Sequence, residues 1–251
     1  MLTNEELKHG YWGARRLAGA LPDIPVVHPD EFKGGDTLVL ACTQTNLATS
    51  EQRRLVKAWC VSLPQLKLKT LMFTTKVNQE LFDAAVQVKG LDALSIKWSS
   101  IKSISSIVDC ASLTALNLGS SPSLTGLDHL TGLARLRSLC IENVREAQDL
   151  AFVQGLHGLE EFGASGSMWT DLKIESLWPL NQMHGLELLW LVGTKVLRDG
   201  LLPLHGLRSL TTLNCAYNFR GSEFAALRAA TPSLRFGSPF EHEMIEQYCP
   251  G

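Results

Sequence analysis

Seven regularly spaced apolar motifs restrict this chain more than any other feature of its sequence. The pattern Leu-x-x-Leu-x-Leu, with other apolar residues substituting in places, starts at Leu68 (then Leu71, Phe73), Leu91 (Leu94, Ile96), Leu113 (Leu116, Leu118) and Leu136 (Leu139, Ile141). It continues at Leu159 (Phe162, Ala164), Leu186 (Leu189, Leu191) and Leu210 (Leu213, Cys215). Successive starts are 23, 22, 23, 23, 27 and 24 residues apart. One match means little, but seven in near-constant phase describe a repeated structural unit.

The spacing has a physical cause. Alternate side chains of a strand point to one face, so the last two apolar residues of each motif point inward together. A unit this small cannot bury its own apolar face. Neighbouring units must stack and enclose a continuous core, with their strands parallel along one side. The stretch after Phe73 returns the chain through Leu81, Phe82, Ala85 and Val86, a helical spacing. Later returns are shorter and carry Pro122, Pro179 or Pro203, which predicts turns, short 3₁₀ pieces or extended segments.

These motifs resemble the leucine-rich-repeat family over about residues 66 to 237. The resemblance implies an α/β fold: a leucine-rich-repeat solenoid with a curved parallel β-sheet on its concave face, and helices and irregular turns on its convex face. One landmark departs. The asparagine usually found three residues past the last strand leucine is present as Asn218, while the equivalent places hold Lys76, Ser99, Ser121, Val144, Ser167 and Thr194. Ser and Thr can bond the neighbouring backbone in its stead.

The ends need covering, because a stacked array exposes core at its termini. Residues 1–35 read as a helical N-terminal cap. Thr3 and Glu6 form a capping box, and Leu7, Tyr11, Ala14, Ala18 and Leu21 share one helical face. Residues 36–65 read as a divergent first repeat. Leu38 and Leu40 lie on its strand, Leu55, Val56, Trp59 and Cys60 on its helix, and Thr49 with Gln52 at its cap. The array itself covers 66–238, and 239–251 form a C-terminal tail.

Composition limits the function classes. A formal net charge of −2 supplies no general attraction for nucleic acid or an anionic membrane. No apolar run approaches the ~18 residues of a membrane span. The first residues lack the pattern of a secretory signal, which predicts a cytoplasmic location. Six scattered cysteines without a CxxC spacing predict reduced, mostly buried thiols and no zinc site. Residues 163–167 suggest a nucleophile elbow but lack the glycine two residues after the serine. His157 and His184 share a repeat phase and His205 is out of phase by three, which is no ligand set. No catalytic, cofactor or metal site is expected.

What remains is a surface. The outward strand positions can be enumerated, and Trp98, Trp190 and Tyr217 fall at or just beyond them. Trp and Tyr are enriched among residues that carry binding energy. Glu142, Glu160, Glu161 and Glu187 gather on adjacent repeats against Arg137, a local acidic patch that is either solvated surface or the seat of a basic partner. The expected function is non-catalytic recognition of another protein through the concave face, with Trp98, Glu142, Glu160, Glu187, Trp190 and Tyr217 as partner-binding residues. A stand-alone inhibitor of the immunity-protein kind and an adaptor are the roles in view. A small enzyme with a groove site and a self-assembling structural protein are the alternatives. Cys140, placed outward between Leu139 and Ile141, is a candidate reactive thiol.

Overall fold

A computed structural model describes residues 1–215 and 219–241. The chain divides into two compact units. Arg15–Leu136 form the N-proximal unit, and Met1–Ala14 with Arg137–Gly251 form the C-proximal unit.

In the N-proximal unit, strands β1 (Thr37–Leu40), β2 (Thr70–Phe73), β3 (Ala93–Trp98) and β4 (Ala115–Ser120) pair in parallel in sequence order. The register aligns Leu38, Leu71, Leu94 and Leu116, and beside them Leu40, Phe73, Ile96 and Leu118. All eight are buried, one layer per coil, as the motif requires. Two returns are helical: α2 (Thr49–Ser62) and α3 (Gln79–Ala85). Asn78 caps α3 by accepting the Leu81 N–H at 3.0 Å. Later returns shorten to 3₁₀ turns at Ser105–Asp109 and Leu127–Gly132. The Thr49 and Gln52 pair does not cap α2 as expected. Gln52 instead accepts the Gln44 N–H and donates to the Leu47 carbonyl, tying down the loop before the helix.

In the C-proximal unit, β5 (Ser138–Glu142), β6 (Glu161–Ser165), β8 (Leu188–Leu191), β10 (Thr212–Cys215) and β11 (Phe236–Gly237) pair in parallel. Leu139, Phe162, Leu189 and Leu213 form one buried row. A second, short ladder joins β7 (Leu172–Ile174) to β9 (Thr194–Val196). The returns are 3₁₀ turns and one helix, α4 (Gly221–Ala230). Hydroxyls replace the usual asparagine where predicted. Ser99 and Ser121 share a 2.7 Å hydrogen bond, Ser121 reaches the Gly119 carbonyl, and Thr194 donates to the Leu191 carbonyl. Asn218 lies outside the described residues, as do residues 242–251 of the expected tail.

The first residues differ from the expected cap. Helix α1 (Asn4–Leu17) begins with the capping box of Thr3 and Glu6 but breaks at Gly10, where φ is 69°. The break interrupts the helical face inferred from sequence. Within the same 1–35 segment, the extended stretch after the helix meets β1: Val26 bridges Leu40 in parallel, backed by the Trp59 indole N–H on the Val27 carbonyl. Residues 1–14 belong instead with the strands of the C-proximal unit.

Candidate interaction surface

Along each repeat strand, the residue just before the first inward leucine points to the outer strand face. In the C-proximal unit this row is Ser138, Glu161, Leu188 and Thr212, and all four are buried. Outward residues are buried only if something covers them, and here the cover is the chain's own start. The Thr212 hydroxyl donates to the Leu7 carbonyl at 2.9 Å. Tyr11 N–H donates to Glu161 Oε2 at 2.9 Å, and Leu2 N–H to Glu187 Oε2 at 3.0 Å. The Met1 amino group meets Glu160 Oε1 at 2.7 Å, and Arg137 pairs with the other Glu160 oxygen while also reaching the Met1 carbonyl.

Glu161 anchors this contact. It is 2% exposed, and its carboxylate also accepts the Ser138 hydroxyl at 2.7 Å and the Cys140 thiol at 3.7 Å. A buried carboxylate needs such donors. Burial still outweighs them and raises its pKa; the bonds from Tyr11, Ser138 and Cys140 work the other way. Gly10 makes the approach possible. A Cβ there would lie 2.5 Å from Glu161 Oε1 and 3.5 Å from the Trp190 indole nitrogen. Glu160 moves in the opposite direction from Glu161. Burial pushes it up, but the bonds from Arg137 and the Met1 amino group together hold it below the usual carboxylate value.

The structure therefore places three of the expected partner-binding residues, Glu160, Glu187 and Trp190, beside residues 1–14. Glu160, Glu161 and Glu187 of the acidic patch are engaged within the chain. Glu142, at the end of β5, is half-buried, and burial raises its carboxyl. Tyr217 lies outside the described residues. The reactive-thiol expectation for Cys140 is corrected. Burial first, then the Glu161 charge, pushes that thiol well up, so it is a protonated donor rather than a nucleophile. Burial likewise lifts Cys42 and Cys215 to about 12 and Cys110 to about 11.

Trp98 is the sequence-derived candidate that stays open. The residue is 39% exposed at the end of β3. The indole N–H donates to Gln44 Oε1 at 2.7 Å, and the same oxygen accepts the Lys76 N–H at 3.0 Å. Gln44 holds this position from a left-handed backbone, φ 54°, and Lys97 lies 5.2 Å over the ring. The polar edge is thus pinned while the ring meets solvent. No sequence pattern singled out Gln44, because its link to Trp98 spans 54 positions.

Two further features bear on chemistry. His184 and His205 line an open groove of about 1190 Å³ together with Trp178 and Arg208. Among the described residues, no group of three His, Cys, Asp or Glu side chains could hold a metal ion, and no helix is long and apolar enough to cross a membrane.

The fold is that of the leucine-rich repeat. It is similar to TLR13 in its complex with ssRNA13, with a TM-score of 0.50 and 19% identity over 71% of this chain and 25% of that one. Internalin F of Listeria monocytogenes matches with a TM-score of 0.49 and 21% identity, over 68% of this chain and 54% of its own. Internalin C2 of the same organism matches with a TM-score of 0.45 and 20% identity, over 66% and 77%. This chain thus spans about half of the internalin F chain and a quarter of the TLR13 chain. At these identities the likeness is one of fold. No protein-family model matches the chain, and no curated protein is significantly similar to it.

Proposed function

We propose that this chain is a non-catalytic protein-binding module whose partner docks on the strand face, in the manner of a cytoplasmic inhibitor or adaptor. The observation that carries this reading is the mode of contact with residues 1–14. Glu161 on β6 and Glu187 just before β8 accept backbone N–H groups of Tyr11 and Leu2. A face that satisfies the backbone of one polypeptide segment has the chemistry to hold another. In this reading residues 1–14 are a resident occupant. A partner reaches Glu160, Glu187 and Trp190 by displacing them; Trp98, on the N-proximal unit, is a separate candidate contact that needs no displacement.

A photoreactive phenylalanine analogue placed at Trp98 or at Trp190 in the full chain tests this. Irradiation in native cell extract should yield a discrete protein adduct that unlabelled wild-type chain suppresses. Adducts with nucleic acid alone, or none at either position, would overturn the reading.

A further inference from the structure

The repeat that starts at Leu159 is 27 residues long, where the other motif spacings within the 66–238 array run from 22 to 24. The surplus has a definite place. The N–H groups of Gly166 and Leu172 both donate to the Gly193 carbonyl, at 3.0 and 2.9 Å. The chain therefore leaves the coil and returns to the same point, and residues 167–171 form an excursion outside it. The excursion is braced. Ser167 N–H donates to the Thr170 carbonyl at 2.8 Å, and the Ser167 hydroxyl accepts the N–H groups of Trp169 and Thr170. Gly166 permits the closure, because a Cβ there would lie 2.2 Å from the Thr170 oxygen and 2.6 Å from the Gly193 oxygen.

This braced turn lifts Trp169 and Met168 into water, 88% and 84% exposed. Neither contributes burial to the fold. A stiff projection tipped with tryptophan and methionine costs solubility, and it loses little conformational freedom when it docks. Its surroundings select the partner. The β7–β9 register sets Lys173 directly opposite Lys195, both exposed, a like-charge pair that neighbouring strands ordinarily avoid. Asp171 is exposed between the tip and β7, while Glu175 is taken by Arg198 at 2.8 Å. Neither lysine makes an ion pair among the described residues.

We propose that the 167–171 turn is a docking knob: Trp169 seats in an apolar pocket of a partner protein, and Lys173 and Lys195 meet carboxylates on the pocket's rim. This rests on the protein-binding reading and adds a second, separate contact and the partner's charge. An anionic bilayer is the other surface that takes an exposed tryptophan. It is disfavoured because the C-proximal unit carries more acidic than basic residues.

The test pans a displayed library of random peptides on the immobilised full chain. Selected peptides should carry Asp or Glu around an apolar pair. They should bind Trp169→Ser about tenfold or more weakly and Trp169→Phe nearly as well as wild type. Lys173→Glu with Lys195→Glu should slow their association and flatten its salt dependence. Melting curves should be unchanged, since all three side chains are exposed. Peptides that ignore Trp169 but compete at Trp98 or Trp190 would overturn the knob and leave the protein-binding reading standing. No enriched peptide would overturn both. Binding of wild type, but not Trp169→Ser, to equimolar phosphatidylcholine–phosphatidylserine vesicles would overturn the knob in favour of a membrane.

Discussion

Glu161 and Tyr11, 150 positions apart in sequence, are joined by a 2.9 Å hydrogen bond from the Tyr11 backbone N–H to the Glu161 carboxylate. The bond couples the start of the chain to the middle of the strand face. It also buries an acid where the repeat pattern alone would leave one exposed, so the stability of the N-terminal segment rests on a few replaceable atoms.

The first of these is the missing Cβ of Gly10. Alanine there meets both a left-handed φ of 69° and a Glu161 oxygen at 2.5 Å. Gly10→Ala should detach residues 1–14 at a cost of about 1–3 kcal/mol while the repeats stay folded. Hydrogen exchange should show the Tyr11 amide losing protection and the β6 and β8 amides keeping theirs. Loss of protection throughout the C-proximal unit would mean that the segment is integral to the core.

The second is the Glu161 proton. Burial raises its folded-state pKa, so the folded protein binds this proton more tightly than the unfolded chain. Its contribution is therefore fully present below the ordinary carboxylate value and is lost as pH rises through the raised one. Glu160 is held low and acts in reverse, adding stability above the ordinary value that is lost as pH falls through the depressed one. Glu161→Gln should remove the decline on the alkaline side and leave the acid-side loss in place. Denaturant titrations from about pH 2 to 8 read both limbs. An unchanged alkaline slope in the variant would place the titrating group elsewhere.

The two anchors also mark how far the sequence alone could be read. The inward rows, such as Leu71, Leu94 and Leu116, follow from a local period, and every one is buried. The hydroxyl substitutes Ser121 and Thr194 follow from their place in the repeat. Glu161 did not, because its burial depends on a segment that no period within the repeats connects to it. The acidic patch was visible, but its occupant was not. The length of the repeat starting at Leu159 was also plain in the sequence. That its surplus forms a braced turn required the shared Gly193 carbonyl.

The core makes its own prediction. Leu139 is fully buried and registers with Phe162 on β6. Leu139→Asp places an unpaired charge in that row and should cost several kcal/mol or prevent folding. Leu139→Met should cost less than about 1.5 kcal/mol, because it conserves volume. Equal melting temperatures for wild type and Leu139→Asp would contradict the inward assignment.

Trp98 and Gln44 together separate recognition from stability. Trp98→Ala removes a partly exposed ring and its bond to Gln44, and should weaken partner binding by about 2 kcal/mol while costing the fold about 1 kcal/mol. Gln44→Ala leaves the ring but removes the acceptor shared by the Trp98 indole and the Lys76 N–H. It should cost about 1 kcal/mol of stability and restore rotamer freedom to Trp98. Time-resolved anisotropy of that tryptophan, isolated by replacing the others with phenylalanine, reads the second effect. A ring equally rigid without Gln44 would show that packing, not the hydrogen bond, fixes it.

The occupied strand face predicts an inverted response to mutation. If a partner docks where residues 1–14 lie, its apparent affinity is reduced by the fraction of molecules in which the segment has lifted. Gly10→Ala raises that fraction without altering any residue that a partner would touch on the strands. It should therefore tighten binding, with the gain mostly in association. Trp190→Ala should act the other way and weaken binding by about 2 kcal/mol. Glu187→Lys combines both effects, since it releases Leu2 and removes a carboxylate offered to the partner. Its affinity should fall between the two single variants. Titrating the three variants against the protein captured at Trp98 or Trp190, with melting curves alongside, distinguishes the cases. If Gly10→Ala and Trp190→Ala both bind with wild-type affinity, the strand face of the C-proximal unit is not the docking site. The contact must then run through Trp98 or the 167–171 turn.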